Sequence, residues 1–311
     1  MSDFLELPFH TLDVFTDRTF GGNPLGVFPE ATHLPTESMQ RIAKEMNLSE
    51  TVFLGPPESS ACTARIRIFT PGVEVPFAGH PTVGTAIFLA GVAHGSDGGG
   101  EPRTVTIVLE ENVGPVPVEV RIKGGVPVFA RFTTALLPEH RPSPLAAAEL
   151  AAMVGLAEDE VCPPGLPAEM VSCGLPYHVI PVTSVDAVRR ATLDTARWRG
   201  SLADSWAHHV YVVSTEAEGE GVDVRVRMFA PGSGVAEDPA TGSAAAALGG
   251  YLAKVDGRRD GSLSWTVEQG LEIGRPSVLH VEADRAGGVT TAVRVGGSAV
   301  LVSSGTMRVP A

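Results

Sequence analysis

Two ionisable residues, His80 and Asp238, stand at matching places in a motif that occurs twice along the chain. The first copy reads Arg67-Ile68-Phe69-Thr70-Pro71-Gly72 and goes on to Gly79-His80-Pro81-Thr82-Val83-Gly84-Thr85-Ala86. The second reads Arg227-Met228-Phe229-Ala230-Pro231-Gly232 and goes on to Glu237-Asp238-Pro239-Ala240-Thr241-Gly242-Ser243-Ala244. The Arg-x-Phe-x-Pro-Gly stretches lie 160 residues apart and the Pro-x-x-Gly-(Thr/Ser)-Ala stretches 158. A repeat on this scale predicts a chain built of two similar halves. Imidazole and carboxylate are the groups that most often carry protons in general acid–base chemistry. At equivalent places in two pseudo-symmetric halves, they are candidates for opposite walls of one cleft.

The elements that must position them are two apolar stretches, Pro81–Ala93 and Pro239–Ala253. Each is expected to be a helix buried on all sides, since neither has a polar face. Each opens on Pro, which suits a first helical turn, and then carries Gly84-Thr85 or Gly242-Ser243. Helix starts have free N–H groups and a positive dipole end, and glycine lets a ligand come close, so paired starts would make an anion pocket for a substrate carboxylate. Each residue also has a plainer reading. His80 alone would pass for a core histidine bonded to a carbonyl. Asp238, or its neighbour Glu237, would pass for a helix cap. The glycines and hydroxyls would pass for capping and packing residues. Their recurrence at matched positions favours the functional reading. Glu50 has no counterpart in the repeat, and its spacing alone reads as a surface carboxylate.

The other elements follow from local patterns. Phe9 to Phe28 reads as strand, polar turn and strand, with the turn at Asp17-Arg18 and Gly21-Gly22-Asn23-Pro24. Residues 36–46 read as an amphipathic helix on Met39, Ile42, Ala43 and Met46, with Asn47 as its C-terminal cap. Strands are expected from Thr51, over 65–69 and across 104–134. A glycine-rich loop is expected over 94–103, and the change of domain near Lys123-Gly124-Gly125. In the second half helices are expected at about 143–156, capped by Ser143, and 185–198. Strands are expected near 177–182, 208–214, 222–229, 263–268, 277–283, 289–295 and 299–302. The sum is an α+β protein of two pseudo-symmetric domains, each a curved, mostly antiparallel sheet around a buried central helix. The first spans 1–124, completed by a C-terminal strand at about 297–311, and the second spans 125–296.

Bulk properties exclude several classes. The 311 residues carry a net charge of −13, which argues against nucleic acid, because phosphate binding needs Lys/Arg patches. No apolar run reaches the length of a membrane span. Cys62, Cys162 and Cys173 show no C-x-x-C spacing and leave one unpaired in any disulfide scheme, which suits a reducing cytosol. The N-terminus has no signal-peptide pattern, so a cytoplasmic location is expected. There is no Gly-x-Gly-x-x-Gly, phosphate loop or Gly-x-Ser-x-Gly elbow. His208-His209 lacks a third ligand at metal spacing, so no metal is expected.

Assembled, the motifs resemble the PhzF isomerase family of phenazine biosynthesis, which has the diaminopimelate-epimerase fold. The resembling stretches are Asp13-Val14-Phe15 with Gly22-Asn23-Pro24, Ser49-Glu50-Thr51-Val52-Phe53, Phe77-Ala78-Gly79-His80-Pro81-Thr82, Glu237 to Ala244, and Gln269-Gly270 with Gly274-Arg275-Pro276-Ser277. They span nearly the whole chain. Gly26 and longer loops at 94–103 and 258–260 depart from the family pattern. The resemblance implies that Glu50 is the acid/base, with His80, Asp238 and Ser243 as catalytic partners. It places Asn23, Gly79, Gly84, Thr85, Thr241 and Gly242 around the substrate. Racemases of this fold use two cysteines where this chain has His80 and Asp238, so a two-thiol mechanism is excluded. One carboxylate on one face suits allylic isomerisation of a small unsaturated carboxylate, of the dihydro-3-hydroxyanthranilate kind. The resemblance also implies no cofactor and a homodimer. Two rival readings remain: a single-base epimerase acting on an amino-acid-like metabolite, and a binding protein that has lost turnover.

Overall fold

The computed structural model describes residues 4–31, 33–94 and 101–310. The expected loop at 94–103 therefore lies, from 95 to 100, outside the described residues. The chain divides into two compact units, residues 1–132 with 296–311, and residues 133–295. The fold is α+β, as the sequence predicts.

In chain order the first unit holds strands β1 (Phe4–Val14) and β2 (Asn23–Phe28), helix α1 (Thr36–Met46), strands β3 (Glu50–Gly55), β4 (Ala64–Phe69) and β5 (Glu74–Val75), helix α2 (Gly79–His94), and strands β6 (Arg103–Glu111), β7 (Gly114–Lys123) and β8 (Val126–Thr133). The second holds β9 (Glu139–Pro142), α3 (Ala147–Val154), β10 (Glu169–Ser172), β11 (Pro176–Pro181), α4 (Val185–Arg190), α5 (Thr195–Ser201), β12 (His209–Ser214), β13 (Val224–Ala230), β14 (Val235–Asp238), α6 (Gly242–Asp256), β15 (Gly261–Gln269), β16 (Ser277–Ala286) and β17 (Val289–Gly297). The last strand, β18 (Ala299–Pro310), pairs antiparallel with β1.

The doubled motif is written into the strand register. In the first unit β2 runs parallel to β3, β3 antiparallel to β4, and β4 parallel to β6. In the second unit β11, β12, β13 and β15 repeat those relations in that order. Arg65 faces Glu110, and Arg225 faces Glu268. Phe69 faces Thr51, and Phe229 faces Val210. The register therefore makes Glu50 the counterpart of His209, which corrects the expectation that Glu50 has none.

One helix fills the centre of each unit. α2 is buried from Gly79 through Ile87 and packs on β1, β2, β3, β6 and β7. α6 is buried at Gly242 and from Ala244 through Ala253, and packs on β10, β11, β15 and β16. With no charged face to solvate, burial is the stable outcome, at about 1.5–3 kcal/mol for each large side chain. α1 keeps its expected bounds. Its Met39 and Ile42 join Phe28, Phe53 and Phe69 in one cluster, and Asn47 adopts φ 50° to close the helix.

Several boundaries differ from the sequence reading, among them the change of unit, which falls at 132/133 and not near 124, and the start of α2, at Gly79 and not Pro81. α3 starts at Ala147, not near 143: Ser143 Oγ instead accepts the Leu145 amide, closing a turn before the helix. The helix expected over 185–198 is two, because the Asp194 carboxylate caps a fresh start by accepting the Ala196 and Arg197 amides. Most consequential is α6, which begins at Gly242 and not at Pro239. Asp238 faces Met228 in the β13–β14 pair, so the strand persists through the motif and Thr241 takes the cap position.

Candidate active site

His80 is the second residue of α2, held where β2 begins. Burial draws its pKa down to about 3, against the opposing pull of a hydrogen bond to the Pro24 backbone. Proline has no N–H, so the imidazole donates to the Pro24 carbonyl, and the ring is neutral at pH 7. Gly22, just ahead, sits at φ +61°, where a Cβ would fall 2.2 Å from the Val14 carbonyl oxygen. Only glycine fits that turn, which sets the buried Asn23 and Pro24 against the helix start.

Glu50 opens β3, and its Oε2 lies 3.3 Å from Nε2 of His80. The side chain is 19 % exposed, so Glu50 is not the surface carboxylate that spacing alone suggests. With Nδ1 engaged at Pro24, Nε2 turns its lone pair to the carboxyl, and one proton can bridge the two groups. Gly79 is the first residue of α2. Gly84 and Thr85 fall in the helix's second turn, since α2 starts two residues before Pro81. A Cβ at Gly84 would come within 2.7 Å of both Leu25 and Val14, so this glycine admits close packing of α2 on β1 and β2. Thr85 is fully buried.

In the second unit Asp238 ends β14 and is buried. Its Oδ2 accepts the Thr241 hydroxyl. Gln269 locks this turn from the end of β15. Its Nε2 donates to the Asp238 carbonyl at 2.7 Å and to Thr241 Oγ1 at 3.0 Å, and its Oε1 accepts the Thr241 amide at 3.3 Å. Gly242 and Ser243 open α6, where the first amides have no intrahelical acceptor. Ser243 Oγ lies 2.6 Å from the Tyr177 hydroxyl.

The structure thus joins Glu50 to His80 in one unit. In the other it joins Asp238 to Thr241, and Ser243 to Tyr177. Sequence reasoning assigned no role to Tyr177, Gln269, Glu111 or His209. The last two were accessible through the repeat, at offsets of 158 from Gln269 and 159 from Glu50. His209 is buried, and its ring centroid lies 5.6 Å from that of Tyr177. Burial first, then the neighbouring His208, draws its pKa down to about 4. Among the described residues no three His, Cys, Asp or Glu side chains cluster as metal ligands, and no helix is long and apolar enough to cross a membrane.

Comparison with known proteins gives this geometry a family. Residues 12–305 match the family model of the phenazine biosynthesis-like PhzC-PhzF proteins. An uncharacterised isomerase of Mesorhizobium japonicum is 44% identical over 94% of this chain and 96% of its own length. The trans-2,3-dihydro-3-hydroxyanthranilate isomerase of Pseudomonas aeruginosa is 37% identical over the same shares. A crystal structure of a Bacillus anthracis PhzF-family phenazine biosynthesis protein superposes with a TM-score of 0.86, covering 97% of this chain and 99% of that one at 26% identity. The chain belongs to the phenazine biosynthesis-like PhzC-PhzF family and is an isomerase.

Proposed function

We propose that the enzyme moves a proton within a small unsaturated carboxylic acid of the trans-2,3-dihydro-3-hydroxyanthranilate type, with Glu50 as the acid/base and no cofactor. The observation that carries this reading is the Glu50–His80 contact: a carboxyl half-shielded from water, 3.3 Å from a buried neutral imidazole. As a carboxylate, Glu50 takes a proton from one ring carbon. The electron pair left behind delocalises through the conjugated diene, and the Glu50 carboxylic acid returns the proton to another carbon. Bonds and charge balance without an outside reagent. His80 stays neutral, and its Nε2 lone pair faces Glu50 to accept from it when it is the carboxylic acid. A base of this kind contributes roughly 10²–10⁴ in rate.

Asp238 would bind the substrate's amino or hydroxyl group, in a position that the Gln269 network preorganises. The first amides of α6 with Ser243 would hold the carboxylate. Asn23, Gly79, Thr241 and Gly242 are proposed as flanking contacts. Gly84 and Thr85, in the second turn of α2, are assigned to packing. Support for giving these groups to a substrate comes from the internal repeat and from the relative named for trans-2,3-dihydro-3-hydroxyanthranilate. Supplying trans-2,3-dihydro-3-hydroxyanthranilate in deuterium oxide tests the reading. Isomerised product bearing solvent deuterium is the expected outcome, and no conversion would remove this substrate class. A homodimer is proposed from family resemblance, to be checked by sedimentation against the 32.4 kDa chain.

A further inference from the structure

Glu111 ends β6 with its side chain buried, and no role in proton transfer has been given to it. Its Oε1 lies 2.8 Å from Thr82 Oγ1, and that hydroxyl lies 2.7 Å from the Ala78 carbonyl oxygen. Both distances are hydrogen bonds, and two hydrogen bonds need two protons. A carbonyl can only accept, and threonine owns one hydroxyl proton. When Thr82 donates to Ala78, the second proton must come from Glu111. Glu111 Oε2 is buried with no hydrogen-bond partner among the described residues, a setting hostile to a negative charge.

The other half of the molecule has a related brace at the matching strand position, although it bonds a different residue of the turn. Strand register equates Glu110 with Glu268, and so Glu111 with Gln269. Gln269 is neutral, carries donors by its chemistry, and ties the turn that bears Asp238. Thr82 sits two residues after His80 in the first turn of α2. We infer that Glu111 is a neutral carboxylic acid that donates its proton to Thr82 and so positions the His80-bearing start of α2, as Gln269 positions Asp238. Burial raises its pKa to about 8, which agrees with the proton count. Glu111 is a positioning residue, because it acts on His80 through Thr82. That His80 then serves catalysis rests on the proposed function, whereas the protonation and the contact do not.

Two spectroscopic measurements on the intact enzyme test this without turnover. Isotope-edited infrared spectra of wild type minus Glu111→Gln at pH 7 should show the carbonyl stretch of a protonated carboxylic acid. The ¹⁵N resonances of the His80 ring should match wild type in Glu111→Gln and move in Glu111→Ala. If Glu111→Ala does not fold, Thr82→Val, which keeps the shape and removes the hydroxyl, should move them instead. A carboxylate band for Glu111 at pH 7 would overturn the inference. So would a His80 signal displaced by Glu111→Gln as far as by Glu111→Ala or Thr82→Val. A failure of Glu50 as the base would leave both measurements readable.

Discussion

Arg227 and Arg67 occupy the same place in the repeat, yet their removal should cost very different amounts. Arg227 grips Glu237 through both guanidinium branches at 2.9 and 2.6 Å, with each side chain only 9 % exposed. It also donates to the Val188, Arg189 and Ala191 carbonyls at the end of α4 and lies over the Phe229 ring. Arg67 makes the matching two-branched contact with Glu74 at 2.8 and 2.6 Å, but the two side chains are 20 % and 23 % exposed. Replacing Arg227 by Met keeps much of the stem and strands a buried carboxylate, a loss of about 3–5 kcal/mol. The same change at Arg67 leaves Glu74 in reach of water and should cost roughly 0–1 kcal/mol. A gap of about 2–5 kcal/mol separates them, roughly 30- to 4,000-fold in the unfolding equilibrium, since 1.4 kcal/mol is tenfold. Urea unfolding reads it, by far-ultraviolet circular dichroism for both variants. For Arg227→Met, tryptophan fluorescence is a local report, because Trp198, Trp206 and Trp265 all lie in the second unit. Adding Glu237→Leu to Arg227→Met should restore most of the loss, since no charge is then left buried. Equal costs for the two arginines, or no recovery in the double variant, would refute the reasoning.

Three further outcomes follow from the same geometry. Burial draws His80 down to about 3 and His178 and His209 to about 4, from an ordinary value of 6.5. Between those values and 6.5 the unfolded chain holds protons the folded one lacks, so the histidine contribution is complete above pH 6.5 and falls as pH drops; Glu111, raised to about 8, acts in the opposite sense between 4.5 and 8 and offsets about one histidine. The slope is up to 1.36 kcal/mol per pH unit for each group, so about 1.4 from one histidine and up to about 4 from the three together. A urea midpoint as high at pH 5 as at pH 7 would contradict this. Gly84→Ala should lose about 1–3 kcal/mol by overpacking, because its Cβ meets Leu25 and Val14 at 2.7 Å; thermal unfolding unchanged from wild type would show that α2 can shift away. Tyr177→Phe removes the hydroxyl held 2.6 Å from Ser243 and should raise KM several-fold with a smaller change in kcat, whereas a fall confined to kcat would place Tyr177 in the proton transfer itself.

Much of this arrangement is legible in the residues, and the exceptions have physical causes. The spacing of Met39, Ile42, Ala43 and Met46 yields α1 with its bounds, because its apolar stripe is what the core selects. The absence of charge over 81–93 yields a buried helix. Pro239 misleads because a helix-start signal is local, whereas the pairing of β13 with β14 that carries the strand through Asp238 is not. The same limit hides Glu50. Nothing near it in sequence says that its oxygen meets His80 across a strand–helix contact, and only family resemblance singles it out. Glu111 and Gln269 are invisible as chemistry because each ends an ordinary alternating strand. The repeat offset links the two, and the register confirms that they end equivalent strands.

The central claim is that one carboxylate moves the proton and no thiol does. Cys62 is buried, and burial pushes the Cys173 thiol up to about 12, which suits inert sulfur. The most direct measurement is solvent deuterium exchange into trans-2,3-dihydro-3-hydroxyanthranilate by two variants, Glu50→Gln and the combined Cys62→Ser, Cys162→Ser and Cys173→Ser. Glu50→Gln should lower exchange by about 10²–10⁴ while substrate still binds, and the cysteine variant should exchange at nearly the wild-type rate. Exchange that survives Glu50→Gln, or vanishes with the cysteines, would contradict the account.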